Sequence, residues 1–583
     1  MPTRTYGWVQ NPSNFSSLKR TTQIFDPESE HYHNLRKHLV PELIPFEETK
    51  RELLGLLEKR AKQFSYSALV GSKRDKNGNR NISRKSAVAD ALIQVSIQSQ
   101  SAKTTGKTWT DNWTAAGYLS WALSLDFLRH DRDTDTCTIT DRGLRFSRVE
   151  EGGLEEKQIL QEAFLRYPPA VQVLRILSES RTPATKFKIG SKLGFKGEKG
   201  FTSYPEDLMM EWIESCSDKA EIKKIRQDVE GTSDKYARMI AGWLKKVGFV
   251  KTSRSYFLNN LGEKCTGFPR YSITGAGEHA LRKAQGSSSN SVVEKYLTWE
   301  FLAVGSAESD YTRSRRAEIL TSLSKSSSKR SLFQYLESKG YTDDTAVIKN
   351  DIKGLNTFGL KIVETPSHFE LKDNFAPFSI PTVVHTPVQR EAEFLRLKEK
   401  IMAQTDLEPK YYELIDMAYD GNRNRDFEMM TVDLFTKVYG FQGKFLGGSR
   451  KPDGIIYTND FGITIDTKAY SGGYGKSISQ EDEMVRYIED NQLRDDERNP
   501  TKWWENYAAG IPSDAHHFLW VSSNFKDSFS PQLLSTSHRT KCTGGALDVE
   551  QLLIGADLVQ KHKLELSDVE AALQNQIIFW NQK

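Results

Sequence analysis

Three segments of the chain share one pattern of apolar and polar positions. In each, apolar residues at helical spacing lead to a residue suited to left-handed backbone, and an apolar strand start follows. The segments span residues 121–128, 243–250 and 354–361, and Asp126, Gly248 and Gly359 take the turn position. The pattern predicts an amphipathic helix, a tight turn and a β-strand in each segment.

The first two segments are followed by a second shared element. Residues 138–143 (TITDRG) and 272–277 (SITGAG) each predict a short strand that ends in Thr and a new helix that begins there. Helix, turn, β-ribbon, strand and helix, recurring about every 110–120 residues, is the plan of a winged helix. A row of winged helices indicates DNA recognition, although a scaffold that binds proteins has the same fold.

Clusters of glycine, serine and proline predict where the domains meet. Gly286 to Ser291 separates the second winged helix from the third, and Pro377, Pro381 and Pro387 indicate an extended tether. After a predicted helix over 390–400, strands alternate with helices, which is typical of a separate α/β domain. We therefore predict winged-helix subdomains at 1–152, 153–290 and 291–375, a linker at 376–398 and an α/β domain at 399–583.

The composition excludes several classes of protein. The chain has 583 residues, 37% of them hydrophobic, which is too long for one core and indicates roughly three to five domains. We expect no membrane span and a cytoplasmic location, because no long apolar stretch or secretory signal is visible. The 4 cysteines form no CxxC pair, which disfavours a zinc knuckle or a disulfide framework. Net charge is only +4, yet residues 73–85 hold six basic residues against one acid, which predicts either a DNA-binding loop or an ordinary solvated one.

The candidate chemistry lies in the last region, where strands at 454–457 and 463–466 predict a hairpin. Asp453 precedes the first strand and Asp466 ends the second, so their carboxylates can converge. Lys468 shares the face of Asp466, because side chains alternate along a strand. Paired aspartates suit Mg²⁺, and a metal together with a lysine suits phosphodiester hydrolysis. An ordinary surface hairpin with an Asp–Lys pair has the same pattern.

The motif and its surroundings resemble a known family. Pro452-Asp453 followed by Asp466-Thr467-Lys468 resembles the PD-(D/E)xK nuclease signature, and residues 444–474 are similar to the cleavage domain of the FokI-like type IIS restriction endonucleases. The similarity extends in the same order over nearly the whole chain, through residues 7–12, 111–113, 230–239, 350–354, 482–487, 491–494 and 503–504. The resemblance implies a multidomain fold: three winged-helix DNA-recognition subdomains, mostly α with small β-wings, followed by an α/β PD-(D/E)xK domain that cuts outside the recognised site.

The resemblance also implies roles for particular residues. Asp453, Asp466 and Lys468 match the catalytic residues. Asp453, Asp466 and Thr467 match the metal-binding residues, with Mg²⁺ as the cofactor and Mn²⁺ as a substitute. The matching DNA-binding positions are Gln10, Asn11, Arg84, Gln100, Trp113, Gln227, Glu230, Lys235 and Arg238. Family members with this array recognise double-stranded DNA at 5′-GGATG-3′, which we expect here as well.

Residue chemistry around Glu230 agrees with this assignment. Lys235 and Arg238 are three residues apart on one face of a predicted helix. Both suit guanine O6 and N7, while Glu230 can accept from cytosine N4. Gln227 stands where the family has Asn, and both side chains can pair with adenine. Each residue could instead contact phosphate, since half or more of protein–DNA hydrogen bonds go to the backbone.

One copy of the nuclease motif serves one strand, so cutting both strands needs either reorientation or a second molecule. Asp482 and Arg486 lie four residues apart on a predicted helix and match the family's dimerisation helix. In a two-fold interface Asp482 of one chain meets Arg486 of the other, although an intrahelical pair has the same spacing. We expect a transient dimer of the nuclease domain, and a cognate methyltransferase encoded by another chain of a prokaryotic cell.

Two other functions fit parts of the sequence. A winged-helix DNA-binding regulator would use its last domain only to dimerise, but it has no need for the intact set of Asp453, Asp466 and Lys468. A nuclease directed by base modification would need a pocket for the modified base, and the sequence identifies none. For Glu428, on the predicted helix before the motif, we expect a solvent or capping role in preference to a metal ligand.

Overall fold

The structure is a computed structural model and describes residues 4–80, 83, 86–99, 106–198, 200–216, 218–286, 291–305, 309–383, 389–448, 450–475, 478–512, 514–526 and 529–580. These residues divide into two compact units. The N-terminal unit comprises Met1–Glu206 and Ile213–Pro387, and the C-terminal unit comprises Asp207–Trp212 and Val388–Lys583. The domain boundaries given above stay predictions.

Helices make up most of the N-terminal unit, because its segments repeat apolar positions every three to four residues. The α-helices are Phe15–Gln23, Glu30–Asn34, Val40–Leu43, Glu47–Glu58, Tyr66–Val70, Leu92–Ser96, Asn112–Ser124, Asp141–Arg148, Leu154–Arg166, Pro168–Glu179, Lys186–Gly190, Lys219–Asp228, Thr232–Lys246, Gly275–Gln285, Asp310–Leu323, Lys329–Ser338 and Thr345–Phe358. Leu35–Leu39 is a π-helical turn and Trp299–Leu302 a 3₁₀ turn. Helix Glu206–Glu214 has residues in both units.

Short antiparallel β-ribbons accompany these helices. The strands are β1 (Gln63–Ser65), β2 (Leu128–Asp131), β3 (Thr136–Ile139), β4 (Val250–Ser253), β5 (Tyr256–Leu258), β6 (Lys264–Thr266), β7 (Arg270–Ile273), β8 (Ile362–Glu364) and β9 (Phe369–Leu371). β3 pairs with β1 and β2, β4 with β7, β5 with β6, and β8 with β9. Asp126, Gly248 and Gly359 have φ values of 57°, 88° and 124°, which is the left-handed backbone expected between a helix and its wing. The predicted winged-helix architecture is confirmed.

The shared threonines after the wings start the next helices. Thr140 Oγ1 accepts from the Gly143 amide at 3.0 Å, and Thr274 Oγ1 accepts from the Gly277 amide at 3.1 Å. Both glycines lie against a carbonyl, since a Cβ at Gly143 would stand 2.0 Å from the oxygen of Phe127. The TxxG pattern therefore combines a helix cap with a close approach of two backbones.

The first two winged helices pack through equivalent tryptophans. Trp121 and Trp243 occupy the same position in the repeated pattern, and their rings stack with centroids 4.7 Å apart. Both rings are buried, and Phe164 stacks on Trp243 at 6.0 Å. Burial of an aromatic ring contributes about 2–3 kcal/mol, and stacking adds about 1 kcal/mol. The repeated pattern thus stabilises the junction as well as each helix end.

A buried ion network holds helix Asp310–Leu323. Asp351 accepts from Arg315 Nε at 2.6 Å and from Arg316 Nε at 2.7 Å. All three side chains are inaccessible or nearly so, and Arg316 also pairs with Glu198. Buried guanidiniums need such partners, because an unpaired charge in the interior is strongly destabilising.

A mixed sheet forms the centre of the C-terminal unit. Its strands are β10 (Gln442–Phe445), β11 (Gly454–Tyr457), β12 (Gly462–Lys468), β13 (His516–Ser522), β14 (Gly544–Asp548) and β15 (Gln576–Ile577). They lie in the order β10-β11-β12-β13-β14-β15. The first three strands pair antiparallel, and β12 to β15 pair parallel. β12 and β13 are buried along almost their whole length.

Helices pack against this sheet, which confirms the predicted α/β domain. The α-helices are Gln389–Gln404, Glu413–Ala418, Asn424–Leu434, Ile478–Leu493, Phe529–Thr540, Val549–Gln560 and Leu566–Ala571, with a π-helical turn at Phe435–Tyr439 and 3₁₀ turns at Pro409–Tyr412 and Trp503–Asn506. The helix predicted over 390–400 lies within Gln389–Gln404. Among the described residues of the whole chain, none belongs to a helix long and apolar enough to cross a membrane.

Candidate active site and DNA-binding surface

The β11–β12 hairpin brings the two aspartates of the motif together. Gly454 pairs with Ile465, so Asp453, one residue before β11, lies beside Asp466 in β12. Asp453 Oδ2 accepts from the amide of Thr467 at 2.7 Å and from its hydroxyl at 3.1 Å. The amide and hydroxyl of Thr467 therefore fix the direction of the Asp453 carboxylate.

Lys468 and Trp520 hold the second aspartate from two sides. Lys468 Nζ donates to Asp466 Oδ1 at 2.8 Å, and Trp520 Nε1, on the neighbouring strand β13, donates to Asp466 Oδ2 at 3.2 Å. Asp466 is buried, and the Lys468 side chain is 16% exposed. The sequence did not indicate Trp520, because the contact spans 54 residues.

The charges at this site are out of balance. Burial, Asp466 and Glu428 raise the pKa of Asp453 well above its ordinary value. Burial would lower the pKa of Lys468, but Asp466 and Asp453 outweigh burial and raise it, so the ammonium stays charged. A carboxyl whose pKa is raised by burial and by neighbouring carboxylates lies where a cation would stabilise its ionised form.

Glu428 lies beside this site, in contrast to the solvent or capping role expected from the sequence. Its helix, Asn424–Leu434, packs on β11 and β12. The side chain is only 13% exposed, and its Oε2 accepts from Arg425 Nη1 at 2.9 Å. Burial raises the pKa of Glu428 to about 7, with Arg425 opposing this shift and Asp466 adding to it. The residue thus belongs to the electrostatic surroundings of Asp453.

Asp453, Asp466 and Thr467 are the residues that could hold a metal ion. Within the described ranges, no group of three His, Cys, Asp or Glu side chains is arranged to bind one. A pair of carboxylates suits Mg²⁺, which keeps several water ligands and rarely takes a cage made only of protein groups. The raised pKa of Asp453 agrees with this, because a cation beside both carboxylates would relieve their repulsion. The donor set therefore fits Mg²⁺.

The predicted base-contacting residues of the second subdomain lie near the start of helix Thr232–Lys246. Lys235 and Arg238 lie on its partly exposed face, while most positions around them are buried. The helix begins in a fixed place, since the inaccessible Asp234 accepts from the amide of Gly231 at 2.9 Å. The helix thus presents one basic face and buries the other.

Glu230 lies under this basic face and is held by two cations. Its side chain is only 7% exposed. Arg238 donates to it through Nε at 3.0 Å and Nη2 at 2.7 Å, and Lys186 donates through Nζ at 2.8 Å. Burial would raise the pKa of Glu230, but the bonds from Arg238 and Lys186 lower it, so the carboxylate is ionised. No sequence signal indicates Lys186, which is 44 residues away.

The N-terminal arm, residues 6–13, lies against the same helix. Gln10 Nε2 donates to Tyr236 Oη at 3.4 Å. Trp243 Nε1 donates to the carbonyl oxygen of Pro12 at 2.9 Å. The structure thus brings Gln10, from the first predicted subdomain, to the helix that carries the basic residues of the second.

The other predicted DNA-binding residues are exposed or lie outside the described residues. Asn11 and Gln227 are exposed, and Trp113 is 47% exposed in the first turn of its helix. Arg84 and Gln100 lie outside the described residues.

The predicted dimerisation residues lie on the exposed side of helix Ile478–Leu493. Asp482 is 54% exposed and accepts from Arg539 Nη2 at 2.7 Å. Arg486 is exposed, and its guanidinium lies 5.4 Å from the centre of the Tyr487 ring. The partner of Asp482 within the chain is therefore Arg539 of a neighbouring helix, in place of the intrahelical pair considered from the spacing.

Comparison with known proteins matches the chain to one family over nearly its full length. The family models for subdomain 1 and subdomain 2 of the FokI recognition domain match residues 4–149 and 156–289, the FokI D3 domain model matches 302–367, and the FokI cleavage domain model matches 391–579. The type II restriction enzyme FokI of Planomicrobium okeanokoites is 39% identical over 98% of both chains. The type II restriction enzyme StsI of Streptococcus sanguinis is 27% identical, covering 97% of this chain and 94% of its own.

Solved structures agree with this match. Restriction endonuclease FokI bound to DNA superimposes with a TM-score of 0.85 at 38% identity, covering 99% of this chain and 100% of that one. A second structure of FokI gives a TM-score of 0.84 at the same identity. The match to a cleavage domain favours a nuclease over the regulator considered from the sequence. The chain therefore belongs to the FokI family of type IIS restriction endonucleases and is a site-specific deoxyribonuclease.

Proposed function

We propose that this enzyme binds the asymmetric double-stranded site 5′-GGATG-3′ and hydrolyses one phosphodiester bond in each strand at a fixed distance outside it. The observation that carries the proposal is the grouping of Asp453, Asp466 and Lys468 on adjoining strands. Lys468 donates to Asp466, and the amide of Thr467, between these two residues, donates to Asp453. The partly exposed basic face of helix Thr232–Lys246 supports the DNA-binding part of the proposal.

Asp453, Asp466 and Thr467 would hold the divalent metal that type II restriction enzymes use. We take it to be Mg²⁺, and Mn²⁺ would replace it because both accept oxygen ligands. When bound, the metal neutralises the phosphate and lowers the pKa of a bound water. Lys468, held charged by Asp466, stabilises the negative charge that develops on the phosphate. Trp520 keeps Asp466 in place through its indole N–H.

The proposed contacts with DNA come from both predicted subdomains on either side of the tryptophan junction. The set is Gln10, Asn11, Arg84, Gln100, Trp113, Gln227, Glu230, Lys235 and Arg238. Lys235 and Arg238 suit guanine, and glutamine suits adenine. The contact of Gln10 with Tyr236 supports joint recognition, since it joins the N-terminal arm to the helix that carries Lys235 and Arg238.

Cleavage of both strands is proposed to need a transient dimer through Asp482 and Arg486. Both residues are exposed, and an isologous interface would pair each with the other residue of the second copy. In the single chain Asp482 already pairs with Arg539. An exposed pair of this kind contributes at most about 1 kcal/mol, so exchanging it for an intermolecular pair has a small cost and suits a short-lived dimer.

The proposed setting is the cytoplasm of a prokaryotic cell. A cognate methyltransferase, encoded by another chain, would protect the host's own copies of the site.

Run-off sequencing of a cleaved plasmid library in Mg²⁺ tests site and cut position together. We expect cuts at one offset from 5′-GGATG-3′, and cuts placed without regard to that sequence would remove the assignment. Asp453→Ala should still bind the selected duplex while plasmid cleavage vanishes. Asp460→Ala, in the exposed turn of the same hairpin, is the matched control and should cut normally.

Charge reversal tests the dimer. We expect Asp482→Arg to bind DNA as the unmodified enzyme does but to cut both strands at least about tenfold more slowly, because like charges would face each other across the interface. Asp460→Arg makes the same change of charge elsewhere on the domain and should have no effect. Unchanged cutting by Asp482→Arg, first-order in protein at low concentration, would contradict the dimer.

A further inference from the structure

Lys186 is a buried lysine with a specific pair of acceptors. It is the first residue of helix Lys186–Gly190 and is 4% exposed. Its Nζ donates to Glu230 Oε2 at 2.8 Å and to the carbonyl oxygen of Val229 at 3.2 Å. Lysine is almost never buried unless it is paired, and the two acceptors account for the burial of Lys186. It approaches Glu230 from the protein side, away from solvent.

Glu230 links this lysine to the exposed Arg238. Oε2 of Glu230 accepts from both Lys186 and Arg238 Nε, while Oε1 accepts from Arg238 Nη2. The Arg238 side chain is 40% exposed, against 7% for Glu230 and 6% for Lys186. The three charges thus form a chain from the interior to the partly exposed Arg238, whose Nε and Nη2 are held by Glu230 and whose Nη1 donates to Met239 Sδ at 3.4 Å.

The charge balance of this chain is +1. A bidentate pair of Glu230 and Arg238 alone would be neutral, so the net positive charge of the three side chains comes from Lys186. Lys186 supplies the compensating charge without facing the solvent itself. It also holds Glu230 in place against Arg238.

We propose that Lys186 is a positioning residue for sequence recognition: it anchors Glu230, which in turn orients Arg238 towards the base edges. This inference rests on the proposed function, in which Glu230 and Arg238 contact the recognition site. Lys186 itself touches no DNA. Its removal therefore weakens discrimination at the base pairs that Arg238 recognises and leaves the remaining contacts and the chemistry unchanged.

The test compares Lys186→Met with Arg238→Ala in the full-length enzyme. The probes are duplexes carrying the site found by run-off sequencing, the same duplex with each base pair changed in turn, and a random duplex. We expect Lys186→Met to bind the selected site about 10- to 100-fold more weakly, with discrimination lost only at base pairs where Arg238→Ala also loses it. Binding of random duplex should change less than about threefold, and the cutting rate at saturating DNA should stay as it was. Lys192→Met, which removes an exposed lysine just beyond the same helix, is the matched control and should behave like the unmodified enzyme.

A double-mutant cycle separates positioning from a merely structural role. Because Lys186 is proposed to act through Glu230, Lys186→Met combined with Glu230→Gln should lose no more discrimination than Glu230→Gln alone. The double variant contains no unpaired buried carboxylate, so it keeps the test valid if Lys186→Met alone folds poorly. Additive losses would overturn the proposal. So would a uniform loss on all duplexes with a salt slope lower by about one, which is the signature of a phosphate contact.

The proposed recognition surface and the proposed role of Lys186 can be refuted separately. If Arg238→Ala keeps discrimination at every base pair, the assignment of this surface to recognition is wrong, and the role of Lys186 falls with it. If Arg238→Ala loses discrimination and Lys186→Met does not, only the role of Lys186 is wrong.

Discussion

Asp453→Asn should make the metal-free enzyme more stable while it abolishes cleavage. The asparagine side-chain oxygen can still accept from the amide and hydroxyl of Thr467, the contacts that Asp453 makes now. What disappears is a carboxylate that Asp466 and Glu428 repel and that burial disfavours. The substitution therefore keeps the geometry and removes the electrostatic strain.

The size of this effect follows from proton binding. A carboxyl whose ordinary pKa is 3.8 and whose pKa is raised on folding makes the folded state less favourable as the pH rises above 3.8. At pH 7, keeping such a group protonated lowers the free energy of unfolding by at most about 4 kcal/mol. Because the group is partly solvated, we expect a loss of about 1–4 kcal/mol. Asparagine never ionises, so its advantage should be largest at neutral pH and should vanish near pH 4. An increase of this size raises an unfolding temperature by several degrees.

Thermal unfolding in EDTA at pH 5 and pH 7, together with plasmid cleavage in Mg²⁺, measures both effects. We expect the unfolding temperature of Asp453→Asn to exceed that of the unmodified enzyme at pH 7 by more than at pH 5, and cleavage to fall at least about 10³-fold, because one metal ligand is lost. Asp460→Asn, in the exposed turn, should change neither. An unfolding temperature in EDTA that is equal or lower for Asp453→Asn would refute the electrostatic reasoning.

Two further predictions concern the junction and the sheet. Trp243→Phe keeps a ring in the core but loses the hydrogen bond to the carbonyl of Pro12. We expect the free energy of unfolding in urea to fall by about 1–3 kcal/mol. Binding of the recognised duplex should weaken about tenfold, because the arm that carries Gln10 is no longer held by this hydrogen bond. Burial lowers the pKa of His516 to about 4, and both its ring nitrogens are buried with no hydrogen-bond partner among the residues that the structure describes. The contribution of the neutral ring to stability is therefore complete above pH 6.5 and is lost as the pH falls towards 4. Lowering the pH from 7 to 5 should therefore destabilise the C-terminal unit by about 1–2 kcal/mol through this residue; identical acid sensitivity in His516→Asn would contradict the assignment.

Features that depend on local sequence could be predicted. The hairpin that carries Asp453 and Asp466 was predicted because alternation, turn residues and strand length all lie within about 20 residues. The left-handed turns at Asp126, Gly248 and Gly359 follow from residue types suited to that backbone. In each case the structure is decided by neighbours in the chain, so the sequence contains the whole signal.

Features that depend on distant packing could not be predicted. The stacking of Trp121 on Trp243 joins two copies of the same pattern, and a repeat in sequence does not indicate that its copies face each other. For Glu428 the sequence favours a solvent or capping role over a metal ligand, because only the folded sheet decides which residues of its helix face the hairpin. Lys186 belongs to a short helix with no chemical motif, and only the fold brings it to Glu230.

The charge balance of the two sites differs in sign, and this difference agrees with their proposed ligands. Around Asp453 and Asp466, carboxylates exceed cations, and the raised pKa of Asp453 shows that the excess is unfavourable until a cation relieves it. Around Glu230, Lys186 and Arg238 outnumber the carboxylate, and burial, which would raise the pKa of Glu230, is outweighed by their hydrogen bonds, which lower it. Both imbalances are accounted for if the cluster around Asp453 binds a metal ion and the cluster around Glu230 binds DNA. Neutralising Asp453 should therefore stabilise the free protein, whereas neutralising Lys186 should leave a tightly paired Glu230 and Arg238 that no longer recognise their site.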